Sequence, residues 1–203
     1  MTHETQEPLV AGLLLAAGGG RRLGGRPKAL LSHRGRPLVE FAVRQLREGG
    51  CEVVHVVLGA SAERVRAEAE LPGCVLVDNP DWAAGMGSSL RAGLASLRAA
   101  AVPVDAALVS LVDQPGIGAR AVARVRAAYG SREALAAASY DGRRGHPVLF
   151  GADRWAGIAA GAVGDRGARD YLAAHRDAIT LVDCSDVAEP YDIDTEADLV
   201  HLE

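Results

Sequence analysis

The chain of 203 residues contains a single lysine, Lys28; every other one of its 22 basic residues is arginine. Cysteine is nearly as scarce. Cys51, Cys74 and Cys184 are odd in number and far apart. They form no zinc or redox spacing and no disulfide framework, so they are expected to be reduced thiols in a cytoplasmic protein. An excess of positive charge is missing too. The 22 basic residues meet 26 acidic ones, for a net charge of −4, which excludes a general attraction to nucleic acid. No apolar run approaches the ~20 residues of a membrane helix, so no membrane association is expected. The opening stretch MTHETQEP carries acids and no apolar core, and is expected not to be a signal peptide.

Hydrophobic residues make up 49% and charged residues 24%, ordinary values for a globular protein. The expected organisation is a flexible tail over residues 1–8 and one domain over residues 9–203. Leu9 to Ala17 is a continuous apolar run, as for a strand covered on both faces. Leu38, Phe41, Ala42 and Leu46 recur at helical spacing, and Gly49-Gly50 closes that helix. Further strands are predicted at Val53 to Leu58, Cys74 to Val77, Ala106 to Val112 and Ile179 to Val182, with shorter ones at Ala134 to Ser139 and Val148 to Phe150. Between them fall a short helix from Ser61 to about Leu71, one opened by Gly87-Ser88-Ser89, one at Arg120 to Tyr129 and one at Arg166 to His175. Thr195 and Asp198 form a capping box for a last helix. Alternating strands and helices mean βαβ units and a mainly parallel sheet covered on both faces. Residues 136 to 164 break the rhythm and predict a small antiparallel excursion.

Open α/β sheets bind ligands beyond the carboxyl ends of their strands. The first such end runs into Gly18-Gly19-Gly20, followed by Arg21, Arg22, Arg26 and Lys28. Glycines let backbone N–H groups face an anion, and the cations add charge, so a phosphate ligand suits the turn. The dinucleotide fingerprint fails, because Leu23 stands where its last glycine belongs. The Walker pattern fails as well, because Gly25 stands where its lysine belongs. Lysine is a mobile point charge, whereas arginine is a rigid fork, so the one lysine either serves a need that arginine cannot meet or is a chance survivor.

Asp113-Gln114-Pro115 follows the strand Ala106 to Val112 and faces the same crevice. A lone aspartate there is commonly a turn residue. Asp192-Ile193-Asp194 alternates two acids about an apolar residue, which aims both the same way, although acids also suit the start of the following helix. Asn79, Gly85, Ser88 and Ser89 lie on a turn leading into a helix, where free N–H groups and hydroxyls serve capping or ligand binding. Gly145-His146-Pro147 and Gly164-Asp165-Arg166-Gly167-Ala168-Arg169 sit in and after the irregular stretch.

Together, Leu15-Ala16-Ala17-Gly18, Arg22-Leu23-Gly24 and Lys28 resemble the signature loop of the MobA-like NTP transferases, which activate small phosphorylated compounds with a nucleoside triphosphate. Asp113-Gln114-Pro115, Gly145-His146-Pro147, the Gly164–Arg169 string and Asp192–Thr195 resemble further motifs of that family, most closely its molybdenum cofactor cytidylyltransferase branch. Two departures are Gly20, where many members carry serine, and one extra residue between Gly24 and Lys28. The resemblance implies a Rossmann-like three-layer α/β/α nucleotidyltransferase fold. It implies catalytic roles for Lys28, Arg22 and Asp113, and nucleotide binding by Leu15, Ala16, Ala17, Gly18, Gly19, Gly20, Arg22, Lys28, Asn79, Gly85, Ser88 and Ser89. It also implies Mg²⁺ on Asp113 and Asp194, with Asp192 as second choice, and acceptor binding by His146, Asp165 and Arg169. The implied reaction transfers CMP from CTP to molybdenum cofactor, a phosphorylated pterin, with release of pyrophosphate and with a molybdoenzyme as client. A guanylyltransferase, transfer to another phosphorylated small molecule, and a non-catalytic cofactor carrier are the alternatives. A carrier needs no such pair of acids.

Overall fold

The structure, a computed structural model, describes residues 7–202. Residues 1–6, most of the expected tail, and Glu203 lie outside the described residues; Glu7 and Pro8 are exposed and belong to no strand or helix. The elements run β1 (Val10–Ala16), a short hairpin of β2 (Ser32–His33) and β3 (Arg36–Pro37), α1 (Leu38–Glu48), β4 (Val54–Leu58), α2 (Ala62–Glu68), β5 (Val75–Asp78), α3 (Met86–Arg98), β6 (Ala106–Leu111), α4 (Ala119–Ala127), β7 (Leu135–Tyr140), β8 (Arg143–Gly151), α5 (Trp155–Gly161), α6 (Arg169–Ala174) and β9 (Thr180–Asp183). Single 3₁₀ turns sit at Arg21–Leu23, Lys28–Leu30 and Trp82–Ala84, and a longer 3₁₀ segment spans Glu196–Leu202.

Seven strands form one sheet in the order β5-β4-β1-β6-β8-β7-β9. Only β8 is reversed: it pairs antiparallel with β6 and with β7, and this is the expected excursion. The other neighbours pair parallel. Alternation along β1 sorts the core into two faces. Val10, Leu14 and Ala16 pack with Leu38, Val43 and Leu46 of α1 and Val122 and Val125 of α4. Ala11, Leu13 and Leu15 pack with Leu90, Leu94 and Leu97 of α3 and with Trp155 and Ile158 of α5. Each fully buried leucine contributes about 2 kcal/mol by leaving water. The result is a mostly parallel, three-layer α/β/α sheet of the Rossmann-like kind.

From β1 the chain builds outward through β4 and β5, then crosses back to place β6 on the other side of β1. That reversal of strand order opens a crevice at the carboxyl ends of β1 and β6, the usual ligand position in such sheets.

Four local expectations are corrected. The helix read at Arg166 to His175 is broken at Gly167, whose φ of 52° leaves the helical region; a 3₁₀ turn at Gly164–Arg166 precedes the shorter α6. The helix from Ser61 stops at Glu68, because Ala69 is already extended and Pro72 disfavours a helical Leu71. Ser88 and Ser89 lie inside α3, with Gly85 at its N-cap, and do not cap it. The last helix is 3₁₀, and only half of its capping box forms: Asp198 Oδ2 accepts from the N–H of Asp194, the N–H of Thr195 and the Thr195 hydroxyl.

Candidate active site

Register brings the first two motifs together. Parallel pairing sets Leu15 of β1 beside Leu111 of β6, and the Val112 N–H donates to the Leu15 carbonyl. The glycine turn and Asp113 therefore leave the sheet side by side. The distant acids arrive by a different route. Ile193, with no exposed surface, plugs into the core, and its N–H donates to the Asp113 carbonyl at 2.9 Å. The Glu189 N–H likewise donates to the Gly116 carbonyl at 3.1 Å. Two backbone bonds and one buried side chain thus lay the segment before the last 3₁₀ turns along the strand end that carries Asp113.

Lys28 closes the arrangement. Its Nζ donates to Asp113 Oδ2 at 2.6 Å and to Asp194 Oδ1 at 2.5 Å. Burial works against its charge, but the two carboxylates outweigh that and raise its pKa above the ordinary value. Arg22 lies farther out, 3.8 Å from Asp194 and largely exposed. Arg26 pairs with Glu196 at 3.0 Å.

The acids flanking Ile193 take different partners. Asp194 meets Lys28, whereas Asp192 Oδ1 accepts from Gln114 Nε2 at 2.8 Å. Burial raises the Asp192 pKa, with Asp113 and Asp194 adding to the effect and Gln114 and Lys28 opposing it.

The crevice has two compartments that share Leu15, Met86, Leu111 and Asp165 as a divide. The smaller, about 340 Å³, is lined by Ala17, Gly18, Gly19, Arg21, Lys28, Trp82, Gly85, Ser89 and Asp113. In the turn behind this lining Gly20 holds φ 59°, a conformation that glycine adopts at little cost. A side chain at Gly19 would crowd the Trp82 ring.

The larger compartment, about 930 Å³, has an apolar floor that includes Val109, Val148, Phe150 and Leu172. Its wall carries His146 and Asp192, and its rim carries Arg143, Arg144, Arg166 and Arg169. Burial pushes the His146 pKa down to about 4, against the pull of Asp192 and with help from Arg144, so its ring is neutral at pH 7. Its backbone carbonyl accepts from the Tyr140 hydroxyl at 2.6 Å.

Some expected contact residues are not brought to the surface of the crevice. Asn79 and Ser88 are buried beneath it. Asn79 Nδ2 donates to the Ser88 and Ser89 hydroxyls at 2.9 and 3.0 Å, and its Oδ1 accepts from the Asp81 N–H. Both residues fix the start of α3 and leave Ser89 to line the crevice. Ala16 is buried at the end of β1 and Gly20 in the turn after it.

Sequence reasoning also missed residues. Gln114 lies between the two motifs, and its buried Oε1 finds no partner among the described residues. Arg143 and Arg144 follow a two-residue turn in which Asp141 and Gly142 both have positive φ, and that Asp-Gly pair was the readable signal of a hairpin.

The sequence pattern of the MobA-like NTP transferase domain matches residues 12–179. The chain belongs to that family. Among its relatives, nicotine blue oxidoreductase from Paenarthrobacter nicotinovorans is 43% identical over 98% of both chains. A molybdenum cofactor guanylyltransferase from Cereibacter sphaeroides is 36% identical over 74% of this chain and 75% of its own. Among solved structures, the Rv0371c protein of Mycobacterium tuberculosis superposes with a TM-score of 0.80 at 28% identity, covering 97% of this chain and 98% of that one. The same protein has been solved in complex with manganese, at 27% identity, a TM-score of 0.74 and coverage of 96% and 97%. As a member of this family the chain is a nucleotidyltransferase-family enzyme, and the family implies an NTP substrate. Among the described residues, no helix is long and apolar enough to cross a membrane.

Proposed function

We propose that the protein transfers a nucleoside monophosphate, CMP from CTP, to a phosphorylated pterin-type acceptor, molybdenum cofactor, and releases pyrophosphate. The observation that carries the reading is the meeting of Lys28, Asp113 and Asp194 at the mouth of the glycine-lined compartment. In this reading the triphosphate lies against the backbone of residues 17–19, with Arg21, Arg22 and Lys28 offsetting its charge. The acceptor occupies the larger compartment. Its apolar floor suits a flat ring system and its arginine rim suits a phosphate. A neutral His146 and Asp192 are placed to hydrogen-bond ring nitrogens, and Arg169 with Asp165 to hold the acceptor at the divide.

An acceptor phosphate oxygen attacks the α-phosphorus, the new P–O bond forms, and the bond to the β-phosphate oxygen breaks. The attacking oxygen is already anionic, so the side chains act by positioning and charge stabilisation, with no strong base required.

The residues fit a divalent cation. Carboxylate oxygens of Asp113 and Asp194 converge on one point, now taken by Lys28 Nζ. Two carboxylates are what a Mg²⁺ site of this kind takes from the protein, since the ion draws its remaining ligands from phosphates and water. Asp113 and Asp194 would hold it, and its chemistry there is to neutralise charge on the phosphates. The manganese complex of Rv0371c supports a divalent ion.

One observation favours a second reading. The 43% identity to nicotine blue oxidoreductase covers nearly both whole chains, so reduction of a flat heteroaromatic in the larger compartment is the rival. One assay separates them. With Mg²⁺ and molybdenum cofactor, pyrophosphate should appear with CTP, and with GTP if the guanylyl specificity of the Cereibacter relative is shared. No pyrophosphate with CTP, GTP or ATP, together with oxidation of a reduced nicotinamide dinucleotide by a heteroaromatic dye, would replace the first reading with the second.

A further inference from the structure

We propose that Lys28 is a built-in counter-ion that keeps the Asp113–Asp194 pair closed to divalent cations until a triphosphate draws its ammonium away. Metal is then taken up with the nucleotide and not before it. The inference rests on the nucleotidyltransferase reading of the crevice and adds an order of binding to it.

The geometry makes Lys28 and a metal ion exclusive. Nζ is 2.6 Å from one carboxylate oxygen and 2.5 Å from the other, at the point where the two acids converge. A cation coordinated by the same two oxygens would sit about 2.1 Å from each and so compete with Nζ for the space between them. An ammonium and a dication cannot share that volume, and moving Nζ by one shell still leaves their charges repelling across a few ångströms. The Lys28 and Asp113 side chains are 15% and 21% exposed, which limits screening on their side, while the 43% exposed Asp194 is the more solvated partner.

The lysine is anchored at one end and free at the other. Its backbone is fixed in a 3₁₀ turn entered through Pro27, with the Leu31 N–H donating to its carbonyl at 3.1 Å. Beyond Cα lies a flexible stem ending in a point charge. The same side chain lines the smaller compartment with Gly18, Gly19 and Arg21, so an anion bound there competes directly with the carboxylates for Nζ. Arginine could not serve as well. Its rigid fork spreads charge over a plane and suits one bidentate partner, whereas this position needs a compact cation that fits between two single oxygens and then leaves. This accounts for the one lysine in an otherwise arginine-only chain.

The experiment measures Mn²⁺ uptake by the whole protein without nucleotide, from the loss of the free-ion paramagnetic resonance signal, and the Mn²⁺-induced rise in melting temperature. Wild type, Lys28→Gln and Lys28→Gln/Asp113→Asn are compared. Glutamine is neutral and can still hydrogen-bond to both acids, which favours a folded variant. Lys28→Gln is expected to bind Mn²⁺ at least about tenfold more tightly than wild type, with a clear rise in melting temperature, and the double variant to lose the gain. Equal affinity of wild type and Lys28→Gln overturns the inference. Should Lys28→Gln fail to fold, the wild type decides by itself: a Mn²⁺-induced rise in its melting temperature without nucleotide overturns the inference, and no rise supports it. Pyrophosphate release by the wild type is scored separately. Release together with equal Mn²⁺ affinities removes the counter-ion role alone. No release together with a tighter Lys28→Gln variant removes the transferase reading and leaves the closure of the acid pair standing.

Discussion

The Lys28 ammonium lies 2.5 Å from Asp194 Oδ1 across 166 residues of sequence. Neither residue is delivered there by its own element alone. Lys28 comes from a turn after the first strand, and Asp194 from an irregular segment held by the buried Ile193 and by the Ile193 N–H bond to Asp113. The chemistry of the crevice therefore depends on residues that cannot themselves touch a ligand.

Asp113→Ala should leave the fold intact and remove pyrophosphate release. The side chain stands at a strand end, partly covered but belonging to neither apolar face of the core, so its loss leaves both core clusters intact. The loss of one such electrostatic group typically lowers turnover by ~10²–10³. Circular dichroism together with a pyrophosphate assay checks both halves, and turnover near wild type would remove Asp113 from the reaction.

Ile193→Ala should harm both stability and activity. Truncating a fully buried isoleucine costs about 2–5 kcal/mol. Here the loss also loosens the wedge that aligns Asp194. The expected result is a lower denaturation midpoint together with a fall in turnover beyond any unfolded fraction. A stability loss with unchanged turnover per folded molecule would show that Asp194 keeps its place without the wedge.

Gly18→Ala and Gly20→Ala should behave oppositely. A Cβ on Gly18 meets nothing within 4 Å, and the space it enters is the smaller compartment. This variant should melt like wild type and bind nucleotide less tightly. Gly20 has φ 59°, and a Cβ there would run into the Arg26 carbonyl. The left-handed conformation alone costs about 1–2 kcal/mol for a residue with a side chain, so Gly20→Ala should melt lower as well as bind poorly. Thermal melts with nucleotide titration distinguish the two patterns.

The layers of the fold were legible because buried strands read as apolar runs, such as Leu9 to Ala17, and α1 shows a clean helical period. The crevice was legible for a related reason: strand ends followed by glycine or aspartate mark it in any open α/β sheet. What stayed hidden was set by tertiary contact. The break at Gly167 depends on a positive φ that the helical pattern around it does not betray. Asn79 and Ser88 carry side chains suited to a ligand, yet they spend them on each other. The partners of Asp192 and Asp194 diverge because Gln114 and Lys28 approach from different sides of one segment. None of these follows from local spacing.

The pH dependence of stability should carry the mark of His146. Its folded pKa lies near 4, below the ordinary imidazole value of about 6.5. Between those values the unfolded chain binds a proton that the folded chain refuses, so stability must fall as pH drops from about 6.5 towards 4 and is fully present above that window. Burial beside Arg144 sets the direction, while Asp192 across the wall and the water in the crevice moderate the size, which should be on the order of 2 kcal/mol. His55, buried in the sheet with its own pKa lowered by burial, adds to the same trend. Chemical denaturation at pH 7, 6, 5 and 4.5 should show a steep loss for wild type. His146→Asn should show a shallower one that keeps the His55 share. An identical decline in both proteins would mean that the folded protein accommodates a charged imidazole at this wall, and the neutral hydrogen-bonding role proposed for His146 would have to be withdrawn.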